Sequence, residues 1–355
     1  MSWLSLLVVL AWADDVSDAD AAALEELLRE AEALAAATPP APPAPSARSV
    51  ASTLNPGITA FGDLVGQLGV DAAGQVMPGS TVYLRSLELE LRAAVDPFAK
   101  ADAVIAFEQE APPLEGGPGE GFGAEPEEAY VDLVALPARL SARVGKFRQP
   151  FGIVNRMHPH DLPWTDAPEL LGDEGFNDTG VSLGWVLPLG PAALSLSAGA
   201  VSGSAFDEDG ELLNAAATGR AELFVGAGAF DVSLGGSAVE GLGTDDRILG
   251  ADLMARWRPS SRRSLVLLAE LVEAGDGPLG YAGLQAQASR NLYLGVREDL
   301  GEDLRTSAFL SYYTSEFLRL RMGAGYAPAL GQVDALAQLT FVWGSHPVEP
   351  WWVNR

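Results

Sequence analysis

The chain has 355 residues, no cysteine and a formal net charge of −26 at pH 7, from 22 basic and 48 acidic residues. This acidic excess excludes a nucleic-acid-binding surface of the usual kind, because it would repel phosphates. The lack of cysteine excludes thiolate zinc sites and disulfide scaffolds.

The first residues have the features of an export signal. The apolar stretch MSWLSLLVVLAWA ends in Ala-Trp-Ala, which predicts a signal peptide over residues 1–13 that is cleaved after Ala13. No basic residue precedes the apolar run, so a buried N-terminal segment is the alternative.

A helix and a spacer are predicted next. Residues 14–37 contain Leu24, Leu27, Ala31 and Leu34 in a 3-4-3 repeat, which predicts a short periplasmic helix that forms a coiled coil between copies of the chain. A solvated single helix is the alternative. Residues 38–53 form a Pro-rich linker that includes TPPAPPAPSA.

From residue 54 to residue 345 the dominant pattern has a period of two. Leu318, Leu320 and Met322, for example, alternate with Arg319 and Arg321. The uncharged run 181–206 is long enough for a membrane helix, but it alternates as well, and a turn rich in Pro and Gly interrupts it. Sixteen such segments of about ten residues can be counted.

Alternation also occurs in soluble sandwiches, so other features decide the fold class. Segments near ten residues fit tilted membrane strands. Aromatic residues near segment ends are typical of interfacial girdles; they are Trp185, Trp257, Tyr281, Tyr326 and Trp343. We therefore predict an all-β fold: a closed antiparallel transmembrane β-barrel of about 16 strands over residues 54–345, preceded by the short N-terminal helix.

Side chains on the polar face of each strand are predicted to line an aqueous lumen. Both signs of charge are present, and the net charge favours cations. The predicted pore-lining residues are Glu88, Glu90, Arg92, Asp102, Glu108, Glu128, Asp132, Arg139, Arg143, Asp252, Arg256, Arg319 and Arg321.

Two family resemblances can be traced to specific stretches. LNPGITAFGD (54–63), SLELELRAAVDPF (86–98), EEAYVDLVALP (127–137) and the opening stretch together resemble the zinc-regulated TonB-dependent outer membrane receptors. RVGKFRQPFG (143–152) is similar to a motif of phosphate-selective porins. The resemblance implies an outer-membrane barrel that passes small solutes, a link to zinc supply, and for the second family a preference for anions. TonB coupling is not expected, because only about forty residues, helix and polyproline, precede the first strand, where such receptors carry a plug domain.

Two of the three histidines stand in the segment His158-Pro159-His160-Asp161. Imidazole and carboxylate groups are zinc ligands, so His158, His160, Asp161 and Asp166 are the candidate metal site, which His346 could join. The alternative is a long loop over residues 148–177 that packs into the lumen or over its mouth. The two interpretations are compatible.

The functional hypotheses follow from this fold. The leading one is a passive porin of a Gram-negative outer membrane, narrowed by the 148–177 loop. The alternatives are a zinc-linked receptor or metal-binding barrel, and a structural barrel that tethers the membrane through its N-terminal helix. No catalytic motif points to an enzyme. The expected partners are membrane lipid, small solutes or ions, and copies of the chain in a homo-oligomer such as a trimer. The tail 346–355 has no assigned role.

Overall fold

The computed structural model describes residues 56–109, 112–117, 121–134, 136–168, 170, 175–206, 215–275, 277–301, 304–344, 350 and 352–354. The predicted signal peptide, N-terminal helix and Pro-rich linker (1–13, 14–37 and 38–53) lie outside the described residues, as does His346. In the part of the chain that is described, no helix is long and apolar enough to cross a membrane.

Sixteen antiparallel strands form a closed barrel, as the alternation predicts. Each strand pairs with its neighbours in sequence, and β1 pairs with β16 to close the sheet. The strands are β1 Gly57–Val70, β2 Thr81–Ala94, β3 Ala99–Glu108, β4 Gly123–Leu133, β5 Leu140–Arg148, β6 Asn177–Leu189, β7 Ala192–Val201, β8 Ala216–Ala227, β9 Phe230–Gly241, β10 Arg247–Ser260, β11 Arg263–Ala274, β12 Gly277–Gln287, β13 Leu292–Leu300, β14 Arg305–Ser315, β15 Leu318–Ala327 and β16 Gln332–Gly344.

The two faces of each strand meet different surroundings. In β14, Ser307 and Phe309 are buried inside the barrel, whereas Leu310 and Tyr312 are exposed on its outer surface. In β15, Arg321 points inward and Met322 points outward with 60% of its surface exposed. An apolar outer face and a polar inner face are what a strand needs when lipid lies on one side and water on the other.

The barrel has two unlike ends. Thr59 of β1 pairs with Gly344 of β16, so both terminal strands enter and leave at one end, here called the turn end. The connections there are short, for example residues 190–191 and 261–262. The longer connections lie at the opposite end, here called the loop end, and the longest of them is residues 149–176 between β5 and β6.

Most of the aromatic residues predicted to form girdles lie on the outer surface. Trp257 and Trp343 are exposed near the turn end, and Tyr326 is exposed near the loop end. The indole nitrogen of Trp185 donates to the carbonyl of Ala138, 3.1 Å away. The prediction is wrong for Tyr281, which is buried inside the barrel and has no access to lipid.

β2 and β4 each contain a bulge, where one additional residue shifts the register of pairing with the preceding strand. The β1–β2 register shifts at Asp63/Leu64, so Arg85 is left over on β2. The β3–β4 register shifts at Val104/Ile105, so Glu127 is left over on β4. Arg85 reaches the inward-facing Asp63, and Glu127 is 7% exposed. Such bulges re-aim side chains, and here both add a charged group to the inner face.

Candidate functional site

The connection between β5 and β6, residues 149–176, is here called the inner loop, and its described residues 149–168, 170, 175 and 176 fold inside the barrel. Phe151, Leu162 and Trp164 are each 2% exposed. The Trp164 ring packs edge-on against Tyr281 of β12, with 5.0 Å between centroids. Burial of these aromatic rings is what holds a long polar connection against the wall rather than in solvent. The prediction of a loop that packs into the lumen agrees with this arrangement.

A single carboxylate on β11 anchors the first half of the inner loop. The backbone N–H groups of Ile153 and Val154 donate to the two oxygens of Glu270, at 2.8 and 2.7 Å. The hydroxyl of Tyr281 donates to the same carboxylate at 2.8 Å. Glu270 is 5% exposed, so these three hydrogen bonds replace those that its carboxylate would make with water.

Arginines on β15 anchor the second half of the inner loop. Arg319 donates to the carbonyl oxygen of His160, and Arg321 donates to those of Leu162, 2.6 Å away, and Trp164. Both guanidinium groups are buried. The loop therefore turns its carbonyl groups toward the wall, where they satisfy buried cations.

Asp166 is held between two further arginines. Its Oδ2 lies 3.1 Å from Nη2 of Arg297 and 2.7 Å from Nη1 of Arg305. Burial raises the pKa of this carboxyl, but the two guanidinium groups outweigh that effect and hold the pKa below its usual value of 3.8. Asp166, a predicted metal ligand, is thus paired with two arginines that fix the loop, and it lies outside the group of possible ligand atoms formed by Glu88, Glu127 and His158.

The two histidines lie together against an acidic part of the wall. His158 Nδ1 is 3.4 Å from Glu127 and 3.6 Å from Glu88, and its Nε2 is 3.5 Å from Glu128. His160 Nδ1 is 3.2 Å from Glu88. The two rings are nearly parallel, with 5.4 Å between centroids. We call Glu88, Glu127, Glu128 and His158 the acidic cluster.

The carboxylates favour the charged form of both rings. Burial favours the neutral ring of His158, but its contacts with Glu127 and Glu128 raise the pKa well above its usual value. Burial also favours the neutral ring of His160, but the carboxylate of Glu88 outweighs this effect, so the pKa of His160 is raised too. The protonated ring of His158, which these contacts favour, balances part of the surrounding negative charge.

The acidic cluster also offers a set of metal ligands. Glu88, Glu127 and His158 each present one ligand atom, and these atoms lie within 4.8 Å of one another. Oε2 of Glu127 is buried and, among the described residues, has no hydrogen-bond partner. One imidazole and two carboxylates are a donor set suited to zinc. Asp161 is peripheral, since its Oδ1 is 3.8 Å from His160 Nε2.

Most predicted pore-lining residues lie on the inner face. Glu90, Arg92 and Asp102 form a chain of ion pairs across β2 and β3, and Arg143 pairs with Asp132 at 2.7 Å. The inner face also carries Glu88, Glu108, Glu128, Asp252, Arg256, Arg319 and Arg321.

The pore-lining prediction for Arg139 is wrong. This residue lies in the short 3-10 turn Pro137–Arg139 before β5, has a φ of 63° and is exposed at the turn end. β5 begins at Leu140, one residue later than the alternation predicts. The alternation of inward and outward side chains along the strand therefore does not determine the direction of Arg139.

The inner loop contacts β2 and β4 through the histidines as well as β11–β15, and the charged side chains that stay exposed lie near the turn end of β2 and β5. On β12, β13 and β15, Tyr281, Arg297 and Arg321 are at most 2% exposed. By contrast, 54% of the Arg92 side chain and 34% of the Arg143 side chain are exposed. Arg92 and Arg143 are thus open to the lumen at the turn end, whereas Glu88 and Glu128 on the same side of the wall are buried under the inner loop.

Sequence reasoning missed several residues that build this site. Glu127 and Arg85 are bulge residues, whose inward direction breaks simple alternation. Arg297 could have been found, since it alternates with the outward-facing Leu294 and Val296. Glu270 carried the same signal, through its alternation with Leu271.

Comparison with known proteins identifies the fold. No family model matches the chain. An uncharacterized protein of Aquifex aeolicus strain VF5 is 27% identical over 338 residues, covering 75% of this chain and 69% of that protein.

Three solved porin-type structures each cover 81% of this chain. OmpF of Salmonella typhi, in complex with daunomycin, has a TM-score of 0.55 at 10% identity and is covered over 98% of its length. OprB of Pseudomonas putida has a TM-score of 0.53 at 11% identity and is covered over 94%. A mutant of the Rh. blastica porin has a TM-score of 0.50 at 11% identity and is covered completely, at 100%. The predicted closed sixteen-stranded barrel of the outer-membrane type is confirmed.

Proposed function

We propose that the protein is a passive porin of a Gram-negative outer membrane, through which small hydrophilic or ionic solutes diffuse. The closed barrel, its apolar outer face and its porin-like fold support this proposal. The observation that carries it is the charged inner face of the barrel, on which Arg92 and Arg143 stay exposed near the turn end of β2 and β5. Membrane lipid and the diffusing solute are the partners in this function.

Charged side chains that are exposed near the turn end of β2–β5 would guide the solute. Arg92 and Asp102 lie close to its path, and so does the acidic cluster where the inner loop meets β2 and β4. Arg148 pairs with Glu127, and His158 and His160 both lie beside Glu88, so the charge of the acidic cluster is largely balanced. The excess of acidic residues in the whole chain is what favours cations over anions. The resemblance to phosphate-selective porins favours the opposite preference, so the sign of selectivity is the part of the proposal to test first.

Single-channel recording in a planar bilayer tests the function directly. The purified protein should give steady ohmic current steps, and a salt gradient should give a reversal potential of the sign expected for cations. Replacing Glu128 with Gln should move that potential toward zero, whereas replacing the outward-facing Glu273 should not. A silent bilayer with folded protein inserted would reject the porin.

A second candidate function rests on the metal ligands of the acidic cluster. We propose that Glu88, Glu127 and His158 bind zinc and that zinc narrows the pore beside the inner loop. The orphaned Oε2 of Glu127 supports this proposal, and so does the resemblance to zinc-regulated receptors. Zinc binds the neutral form of a histidine ring, so it competes with protons at His158, and binding should weaken as the pH falls.

Zinc titration of the bilayer current tests this candidate. Zinc should reduce the wild-type current reversibly, and replacing His158 with Ala or Glu127 with Gln should abolish the effect. Replacing Asp161 with Asn is the matched control, because this carboxylate lies in the same segment but outside the ligand set. If all three variants respond to zinc like the wild type, the metal site is refuted.

Two further proposals concern the segments outside the described residues. We propose that the helix over 14–37 joins copies of the chain in a homo-oligomer such as a trimer; a tether to periplasmic partners is the alternative role. Deleting residues 14–45 should abolish the oligomer in the first case and weaken the cell envelope in the second. Coupling to TonB is not part of the proposal.

A further inference from the structure

Pro350 and residues 352–354, here called the tail segment, lie inside the barrel at the turn end. The side-chain amide of Asn354 donates to the carbonyl of Ser260, 2.9 Å away, and to Gln287 at 2.9 Å. Its backbone N–H donates to the hydroxyl of Tyr293 at 3.0 Å. These partners belong to β10, β12 and β13, so the segment is fixed on a part of the wall three or more strands away from β16.

Trp352 is the most deeply buried residue of the tail segment. It is 0% exposed, and its ring packs edge-on against Tyr293 at 5.9 Å and near Tyr313 at 6.2 Å between centroids. Both tyrosines face inward from β13 and β14. A large aromatic ring therefore occupies space inside the barrel that would otherwise belong to the lumen.

The tail segment and the inner loop touch each other. The indole N–H of Trp352 donates to the backbone carbonyl of Asp161, 2.8 Å away. Val353 N–H donates to the carbonyl of Pro350 at 2.9 Å, which holds the segment in a turn. The inner loop enters from the loop end and the tail segment from the turn end, so this hydrogen bond joins the two internal segments.

We infer that the tail segment is a second internal constriction, and that Trp352 limits the size of solutes by filling the β13–β14 side of the lumen and leaving only the opposite side open. This inference rests on the proposed porin function and adds to it a residue that determines specificity. β16 ends at Gly344 at the turn end, Asn354 is bound to β10 and β12 at the same end, and Trp352 fills space under the inner loop. The pathway is thus narrowed from both ends, by segments that support each other.

Crosslinking tests the position of the tail segment without requiring conduction. The chain has no cysteine, so engineered thiols would be the only ones present. A short bifunctional thiol reagent should join Asn354→Cys to Gln287→Cys in the folded barrel. It should not join Asn354→Cys to Lys100→Cys, since Lys100 is the second residue of β3, on the opposite wall at the same end. Equal crosslinking of both pairs would overturn the placement.

Conductance tests the role in size selection. Deleting residues 346–355, or replacing Trp352 with Ala, should raise the single-channel conductance by about twofold or more, because pore diameter governs passage. Both variants should also admit larger polyethylene glycols. Trp257→Ala, on the outer surface, is the matched control and should change neither quantity. Heat-dependent gel mobility would show that each barrel has folded.

The two ways of failing are distinguishable. Folded variants that conduct no more than the wild type would overturn the inference and leave the porin intact. Absence of current from the wild type and from every variant would reject the porin, together with the size-limit role that rests on it. A silent wild type whose tail deletion conducts would support the inference and show the tail segment to be a plug.

Discussion

Replacing Glu270 with Ala should release the first half of the inner loop from the wall. This carboxylate accepts hydrogen bonds from Ile153 N–H, Val154 N–H and the Tyr281 hydroxyl, and it is buried. The substitution leaves all three donors without that acceptor, and a buried donor without an acceptor is costly. We expect the barrel to stay closed, because β11 keeps its backbone pairing with β10 and β12.

The magnitude follows from the number of donors. Each lost acceptor costs about 1–3 kcal/mol, and because such effects are not additive the three together should cost about 3–6 kcal/mol. At about 1.4 kcal/mol for each factor of ten, the population with a detached loop should rise about a hundredfold or more. Water that reaches the freed donors offsets part of this cost, so we expect a loss near the lower end, about 3 kcal/mol.

Limited trypsin digestion of the folded protein in detergent measures loop detachment. Arg156 lies in the anchored half of the inner loop, and its guanidinium is 3.2 Å from Glu222, so cleavage there requires the loop to leave the wall. Glu273→Ala is the matched control, because Glu273 lies on the same strand but is exposed. If Glu270→Ala and Glu273→Ala resist cleavage equally, the anchoring role is refuted.

The remaining predictions concern the acid response of the inner loop and the outer face of the barrel. The depressed pKa of Asp166 stabilises the fold fully above the unfolded value of 3.8, and this contribution is lost as the pH falls through the folded value. Current noise from the loop should therefore stay constant between about pH 7 and pH 5 and rise only below about pH 4. Replacing Asp166 with Asn should give the noisy state already at pH 7. On the outer face, Leu234→Arg near the middle of β9 should cost about 2–4 kcal/mol of folding free energy in bilayers, and Leu300→Arg at the end of β13 about 0–1 kcal/mol.

Each of these predictions has a clear contrary result. Noise that rises between pH 7 and pH 5 would show that a group other than Asp166 controls the loop. Equal costs for arginine at positions 234 and 300, measured by denaturant unfolding in lipid, would contradict the assignment of the outer face to lipid.

The strand pattern was predictable because lipid and water impose opposite demands on alternate residues. Arg319 and Arg321 next to Leu320 and Met322 leave few other ways to arrange a long strand. The strand count and the closed barrel follow from repeating this pattern. The loop over 148–177 was also predictable, since its prolines and paired histidines break the period of two.

The arrangement inside the lumen was less predictable, since it depends on contacts between distant segments. Asp166 looks like a metal ligand beside His158, but its neighbours in space are arginines from β13 and β14. Tyr281 lies near a strand end, as a girdle residue would, and only its place in the alternation of β12 shows that it faces inward, toward Glu270. Trp352 lies in a segment that carries no periodic signal at all.

At the bulges of Arg85 and Glu127, the side chains that face the lumen can change while those that face lipid stay the same. An extra residue in β2 or β4 adds a charged side chain to the inner face, and regular pairing resumes on both sides of it. The lipid-facing residues before and after the bulge keep their places. A barrel of this kind can therefore acquire new chemistry in its lumen by inserting a single residue, without altering the surface through which it is held in the membrane.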